Sequence, residues 1–137
     1  MISSVMNIDA AYRDVLTELM SKGITIYDII PINQNRYIIA KTSVGNFLII
    51  YKREPFRNFY KLDPNATGKT QGESINVDHL KIAIQKEVSK IYVVRPTGDV
   101  FSIDMQEFLV NSIRWTNLEG IDIRSIDIHK LNKEFRI

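Results

Sequence analysis

The spacing of apolar residues changes period several times along this chain, and each change marks an element. In NIDAAYRDVLTELMSKG (7–23), Ala11, Val15, Leu16, Leu19 and Met20 recur at helical spacing, Asn7 or Asp9 can cap the start, and Gly23 ends the pattern. The segments ITIYDIIPI, RYIIAKTS and NFLIIYKRE are rich in β-branched and aromatic residues and are separated by the turn formers at 33–35 and 44–46. They predict three consecutive antiparallel strands, with Pro31 placing the first at an edge or strand end. The polar stretch LDPNATGKTQGES (62–74) reads as a loop. VDHLKIAIQKEVS follows as a helix capped by Asn76, with Leu80, Ile84 and Val88 on one face. KIYVVRP is a continuous apolar run, as expected of a strand buried on both faces. VFSID is a further strand, and Asp104 with Glu107 forms a capping box for a helix over MQEFLVNSI. IDIRSIDI alternates strictly as a half-buried strand, and HKLNKEF closes the chain as a short helix. The expected fold is therefore α/β: a single domain over residues 1–137, with a mixed central sheet in an α-βββ-α-ββ core order flanked by helices.

Composition narrows the function classes. The 137 residues are 45% hydrophobic and 25% charged, as in an ordinary globular chain, and contain no cysteine. Disulfides, thiolate metal sites and cysteine nucleophiles are thereby excluded. The N-terminal residues do not read as a secretory signal, and no apolar run is long enough to span a bilayer, so a soluble cytoplasmic location is the expectation. A net charge of +2 is too small to demand a polyanionic partner, so an argument for nucleic acid must rest on where the cations stand.

The element order, together with FLIIYK (47–52), resembles the PD-(D/E)xK nuclease superfamily, which includes archaeal Holliday-junction resolvases and restriction-endonuclease-like folds. The likeness covers residues 8–104. It implies a nuclease-like domain in which carboxylates hold Mg2+ or Mn2+ and a strand lysine orients water or stabilises charge. Lys52 stands at the lysine position, but Ile50 occupies the expected acid position. Ile50, Lys52 and Glu54 share one face of an extended strand, so Glu54 is a displaced candidate acid. Asp28 is the candidate for the family's aspartate, with Glu18 and Glu73 as weaker ligands. Asp28, Lys52 and Glu54 are the candidate catalytic set, and Asp28 and Glu54 the candidate metal ligands. In the competing reading Lys52 and Glu54 form a solvated cross-strand pair, and Asp28 only marks a strand end. The resemblance also implies a homodimer acting on a two-fold DNA substrate. The cysteine-free, isoleucine-rich composition is similar to that of chains from thermophilic archaea and their viruses, although ten asparagines run against a strong thermophile signature.

The segment after Lys52 carries the second signal. Lys52, Arg53, Arg57 and Lys61 interleave with Tyr51, Phe56, Phe59 and Tyr60, and Lys69 extends the series. Cations can follow a phosphate backbone while rings stack or pack. The alternative is that Phe56 and Phe59 anchor the segment and the cations face water. Other motifs carry less. GKT at 68–70 lacks the upstream glycine of a phosphate-binding loop, His79 and His129 have no histidine at ligand spacing, and no nucleophile elbow is present.

Two functions fit. One is a nuclease-like protein that binds nucleic acid, DNA before RNA, with a degenerate or rebuilt metal site; if active, it is a divalent-metal-dependent endonuclease. The other is a noncatalytic interaction module, a homodimeric scaffold that binds protein through the IDIRSIDI strand and Trp115. Trp115 otherwise packs the end of the third helix against the sheet.

Overall fold

The computed structural model describes residues 10–33, 37–52, 57–59 and 70–137. Among the described residues the chain forms a mixed α/β fold with two sheets. Helix α1 (Ala10–Ser21) precedes strands β1 (Ile26–Ile32), β2 (Tyr37–Thr42) and β3 (Gly45–Tyr51). Then come β4 (Arg57–Phe59), β5 (Thr70–Asn76), helix α2 (Val77–Gln85) and β6 (Val88–Val94). Strand β7 (Asp99–Asp104), helix α3 (Met105–Asn111), β8 (Ile113–Thr116), β9 (Asp122–Asp127) and β10 (Asn132–Arg136) complete the order.

The first sheet runs β1-β2-β3-β6-β7-β10. The β1–β2–β3 meander is antiparallel, β3 and β6 are parallel, and the remaining pairs are antiparallel. Both faces of this sheet are covered. On one, Tyr12, Val15, Leu16 and Leu19 of α1 pack on Ile38, Ala40, Phe47, Ile49, Tyr92 and Val94. On the other, Ile39, Leu48, Ile50, Ile91 and Val93 meet Leu80 and Ala83 of α2, Phe108 of α3, and Ile75 and Ile126 of the second sheet. Double coverage explains why Ile91 to Val94 read as an unbroken apolar run, since both sets of alternating side chains are buried. Pro31 is accommodated in β1 because β1 is an edge strand.

Helix ends follow local chemistry. Asn76 caps α2, its side-chain oxygen accepting from Asp78 N at 2.8 Å. Gly23 follows α1 with φ +86°, a conformation that suits glycine. Asp104 stands at the N-cap of α3 in extended conformation but makes no side-chain cap bond, so the capping box is not formed.

Several expectations are corrected. The second sheet, β4-β5-β9-β8, was not foreseen. Residues 70–74, expected in a loop, lie in β5, which has one aliphatic residue and is held by pairing to β4 and β9. IDIRSIDI supplies β9, an inner strand between β5 and β8, and so offers no edge to a twin subunit. The third helix stops at Asn111, and Ile113 and Trp115 belong to β8. HKLNKEF is not a helix: a 3-10 turn at Ile128–Lys130 leads into β10. Helix α2 also ends early, so Val88 opens β6 and Ile84 is exposed. No helix among the described residues is long and apolar enough to cross a membrane.

Candidate functional site: a cation pair around a buried carboxylate

Strands β3 and β6 run in the same direction and end side by side, with Tyr51 opposite Val94. The backbone continues the ladder by one bond, Lys52 N donating to Val94 O at 3.0 Å. Side chains alternate along a strand, so Lys52 lies on the face of Ile50, and Arg95 on the face of Val93. Both point towards the second sheet, beyond the last buried aliphatic residues. The same end of β3 is tied to α1, where Tyr12 Oη accepts from Tyr51 N at 3.2 Å and the two rings meet edge-on at 6.5 Å.

Between the two cations stands Glu73 of β5. Its Oε2 accepts from Arg95 Nη1 at 2.5 Å, and its Oε1 lies 3.4 Å from Lys52 Nζ. Lys52 Nζ also donates to Ser74 O at 2.7 Å. The Glu73 and Arg95 side chains are 7% and 4% exposed, and that of Lys52 is 26% exposed, so Lys52 is the member that reaches solvent. Burial pulls the Arg95 guanidinium below its ordinary value, and the Glu73 carboxylate opposes that shift. Two cations share this carboxylate, and Arg95 makes a further interaction besides it. The arrangement joins the sheets and presents an ammonium group at their junction.

Further hydrogen bonds extend from β5 across the second sheet. The hydroxyls of Ser74 and Ser125 are 2.6 Å apart, and Trp115 Nε1 donates to Ser125 Oγ at 2.8 Å. Trp115 therefore braces β8 on β9 rather than packing a helix end on the sheet. Arg124 Nη1 donates to Ser112 Oγ at 3.2 Å and to the carbonyls of Ser112 and Leu109 at the end of α3. These bonds position β5, and with it Glu73.

The other candidate residues are distributed as follows. Asp28 is paired across β1–β2 with Lys41, and Lys41 across β2–β3 with Asn46. Lys52 lies six residues beyond Asn46, about 20 Å along the strand. Asp28 and Lys52 thus stand at opposite ends of the sheet and do not form one site. Asp28 Oδ1 instead accepts from Ile29 N at 2.9 Å. Glu18 is on α1, which covers the opposite face of the sheet. Arg57 is in β4, in register with Gly72 and through it with Asp127. Arg53, Glu54, Lys61 and Lys69 lie outside the described residues, as do the proposed Lys52–Glu54 pair and the rings of Phe56 and Tyr60.

The residues were tested for a divalent cation site. Ile50, at the motif's acid position, is 1% exposed and faces the apolar core, so that position offers no carboxylate and no room for a hydrated ion. Each Glu73 oxygen already faces a cation. Among the described residues no group of three or more His, Asp or Glu side chains is placed to hold a metal. The described residues do not fit Mg2+ or Mn2+.

Neither Arg95 nor the central role of Glu73 was evident in the sequence, where Glu73 stood only as a weaker ligand. The available signal was a lone arginine closing the apolar strand KIYVVRP, because a cation at the end of an inner strand needs a buried acid. No protein-family model, curated protein or solved structure matches the chain.

Proposed function

We propose that this chain is a nuclease-like nucleic-acid-binding protein that binds DNA without a metal-dependent catalytic centre. The observation that carries this reading is the placement of charge around Lys52. Between residues 52 and 69 stand Lys52, Arg53, Arg57, Lys61 and Lys69 against Glu54 and Asp63. That balance of +3 exceeds the whole chain's +2, so the remainder of the molecule carries a net −1. The segment starts at the sheet junction, where Glu73 and Ser74 O hold Lys52, and returns to the second sheet as β4 and β5. A cationic segment tethered at both ends presents its charges with less loss of chain entropy than a free tail. Binding would rest on phosphate neutralisation, with stacking on the interleaved rings as a second contribution. Engagement of Lys52 by Glu73 and burial of Ile50 favour binding over hydrolysis.

The test is fluorescence anisotropy of labelled duplex, junction and single-stranded DNA across a salt series. With three to five phosphates contacted, the slope of log K against log salt is expected near about −3 to −4.5 for duplex. Lys61→Ala and Lys69→Ala should each reduce that slope by about one. Absence of binding at about 50 mM salt refutes the proposal. Mg2+- or Mn2+-dependent cleavage that Asp28→Ala or Lys52→Ala abolishes would replace it with an endonuclease.

A further inference from the structure

One imidazole on the surface is held by a buried acid. Strand β9 ends in Asp127, whose side chain is 6% exposed, whereas that of His129 in the following turn is 82% exposed. Asp127 Oδ1 accepts from His129 N at 2.9 Å and lies 2.9 Å from His129 Nδ1, so one buried oxygen fixes both the backbone and the ring. A carboxylate oxygen accepts, which places a hydrogen on Nδ1 and leaves Nε2 as the outward nitrogen. In the neutral ring Nε2 is an acceptor, and a second proton turns it into a donor. With Asp127 ionised, the pair then changes from one negative charge to none, next to the exposed Lys130.

Strand β9 ends in register with Gly72, so the turn Ile128–Lys130 stands at the Thr70 end of β5 and contacts that strand. Phe59 of β4 is paired with Thr70 at the same level. In sequence Lys61 follows Phe59 by two residues, and Lys69 immediately precedes Thr70. The cationic segment thus leaves and rejoins the second sheet at the end where His129 and Lys130 stand. Other charges on the surrounding strands are engaged elsewhere. Glu73, the one charged residue of β5, faces inward with Ile126 and is held by Arg95 and Lys52. Arg124 of β9 reaches the end of α3. On β10, Lys133 pairs with Asp99, Glu134 with Lys90, and Arg136 bonds to Thr97 O. Strand β4 supplies Arg57 at the level of Gly72. Granting the nucleic-acid binding proposed above, we infer that His129 and Lys130 form a phosphate-contacting site that extends the DNA surface onto the turn after β9, with His129 engaged only as imidazolium. The ring held by Asp127 enters that contact with little side-chain freedom left to lose. Histidine changes charge between about pH 5 and 8. The chain has one other, His79 on α2, whose ring lies 4.4 Å from that of Tyr37.

Fluorescence anisotropy of the whole chain with labelled duplex, over a salt series at about pH 5.5 and about pH 7.5, tests this. Affinity should be about two- to tenfold higher at the lower pH. The slope of log K against log salt should be steeper there by about 0.9, the share of one phosphate. His129→Gln should remove both differences, and His79→Gln should keep them. Lys130→Ala should lessen the slope by about 0.9 at both pH values. In NMR spectra at the lower pH, added duplex should shift the His129 ring resonances and leave those of His79 in place. Binding with equal affinity and slope at both pH values overturns this inference and leaves the binding reading standing. A pH dependence that persists in His129→Gln, or vanishes in His79→Gln, overturns it in the same way. A slope unchanged by Lys130→Ala overturns the site as a pair. Absence of binding at both pH values refutes the inference together with the reading on which it rests.

Discussion

Replacing Glu73 by leucine removes the carboxylate that Arg95 and Lys52 share. The cost divides between the two cations. Arg95 is buried, and breaking a buried pair from one side leaves an uncompensated charge, worth roughly 3–5 kcal/mol. The low end applies, because Arg95 makes a further interaction besides Glu73. Lys52 is partly solvated and can turn towards water, so its limb adds under about 1 kcal/mol. Glu73→Leu should therefore cost about 3 kcal/mol, or roughly 10 °C in Tm for a chain of this size. Arg95→Met should cost less, about 2 kcal/mol, because Glu73 keeps Lys52 as a partner. The double variant Glu73→Leu/Arg95→Met replaces the ion pair by apolar volume and should cost no more than either single change. Urea unfolding of all four proteins closes the cycle, with constant m values confirming that midpoint changes report stability. If both single variants cost under about 1 kcal/mol, or the double variant equals their sum within about 0.5 kcal/mol, the cluster does not join the sheets as argued.

Two further outcomes probe the frame around the site. Gly98 has φ +90°, and a Cβ there would stand 2.6 Å from Ile137 O, whose own amide donates to Gly98 O. Gly98→Ala should cost about 1–3 kcal/mol and raise amide exchange in β10, and unchanged exchange would refute that close approach. Glu134 accepts from the buried Ser102 hydroxyl, which lowers its carboxyl pKa against the opposing effect of burial, and Lys90 Nζ at 3.2 Å lowers it further. Because the folded-state value lies below the ordinary 4.5, this contribution is complete above that pH and fades as pH falls through the lower folded value. Glu134→Gln should flatten the acid limb of the urea midpoint by under about 1 kcal/mol, and an acid limb left unaltered below the ordinary value of 4.5 would count against the assignment.

Legibility in the sequence followed the type of force holding each element. Val15, Leu16 and Leu19 of α1, and Ile91 to Val94 of β6, announce their burial because hydrophobic spacing records which faces are covered. The meander at 26–51 was legible for the same reason, and the Asn76 cap because it is a local bond. Strand β5 was not, since TQGESIN lacks alternation and owes its conformation to β4 and β9. Likewise NKEFR reads as a helix end until β7 supplies its ladder partners. The distance between Asp28 and Lys52 was hidden as well, because face is a property of one strand whereas level along the sheet depends on the register of three.

The sequence by itself determined the α-βββ-α-β frame, the exposure of Lys52 at the end of an inner strand, and the concentration of cations that follows it. Tertiary structure alone decided that a second sheet exists, that Glu73 lies between Lys52 and Arg95, and that β9 is an inner strand with β8 outside it among the described residues. Burial of apolar side chains is written locally in their periodicity. The partners of polar strands and buried charges are set by chain segments distant in sequence, and only folding brings those together.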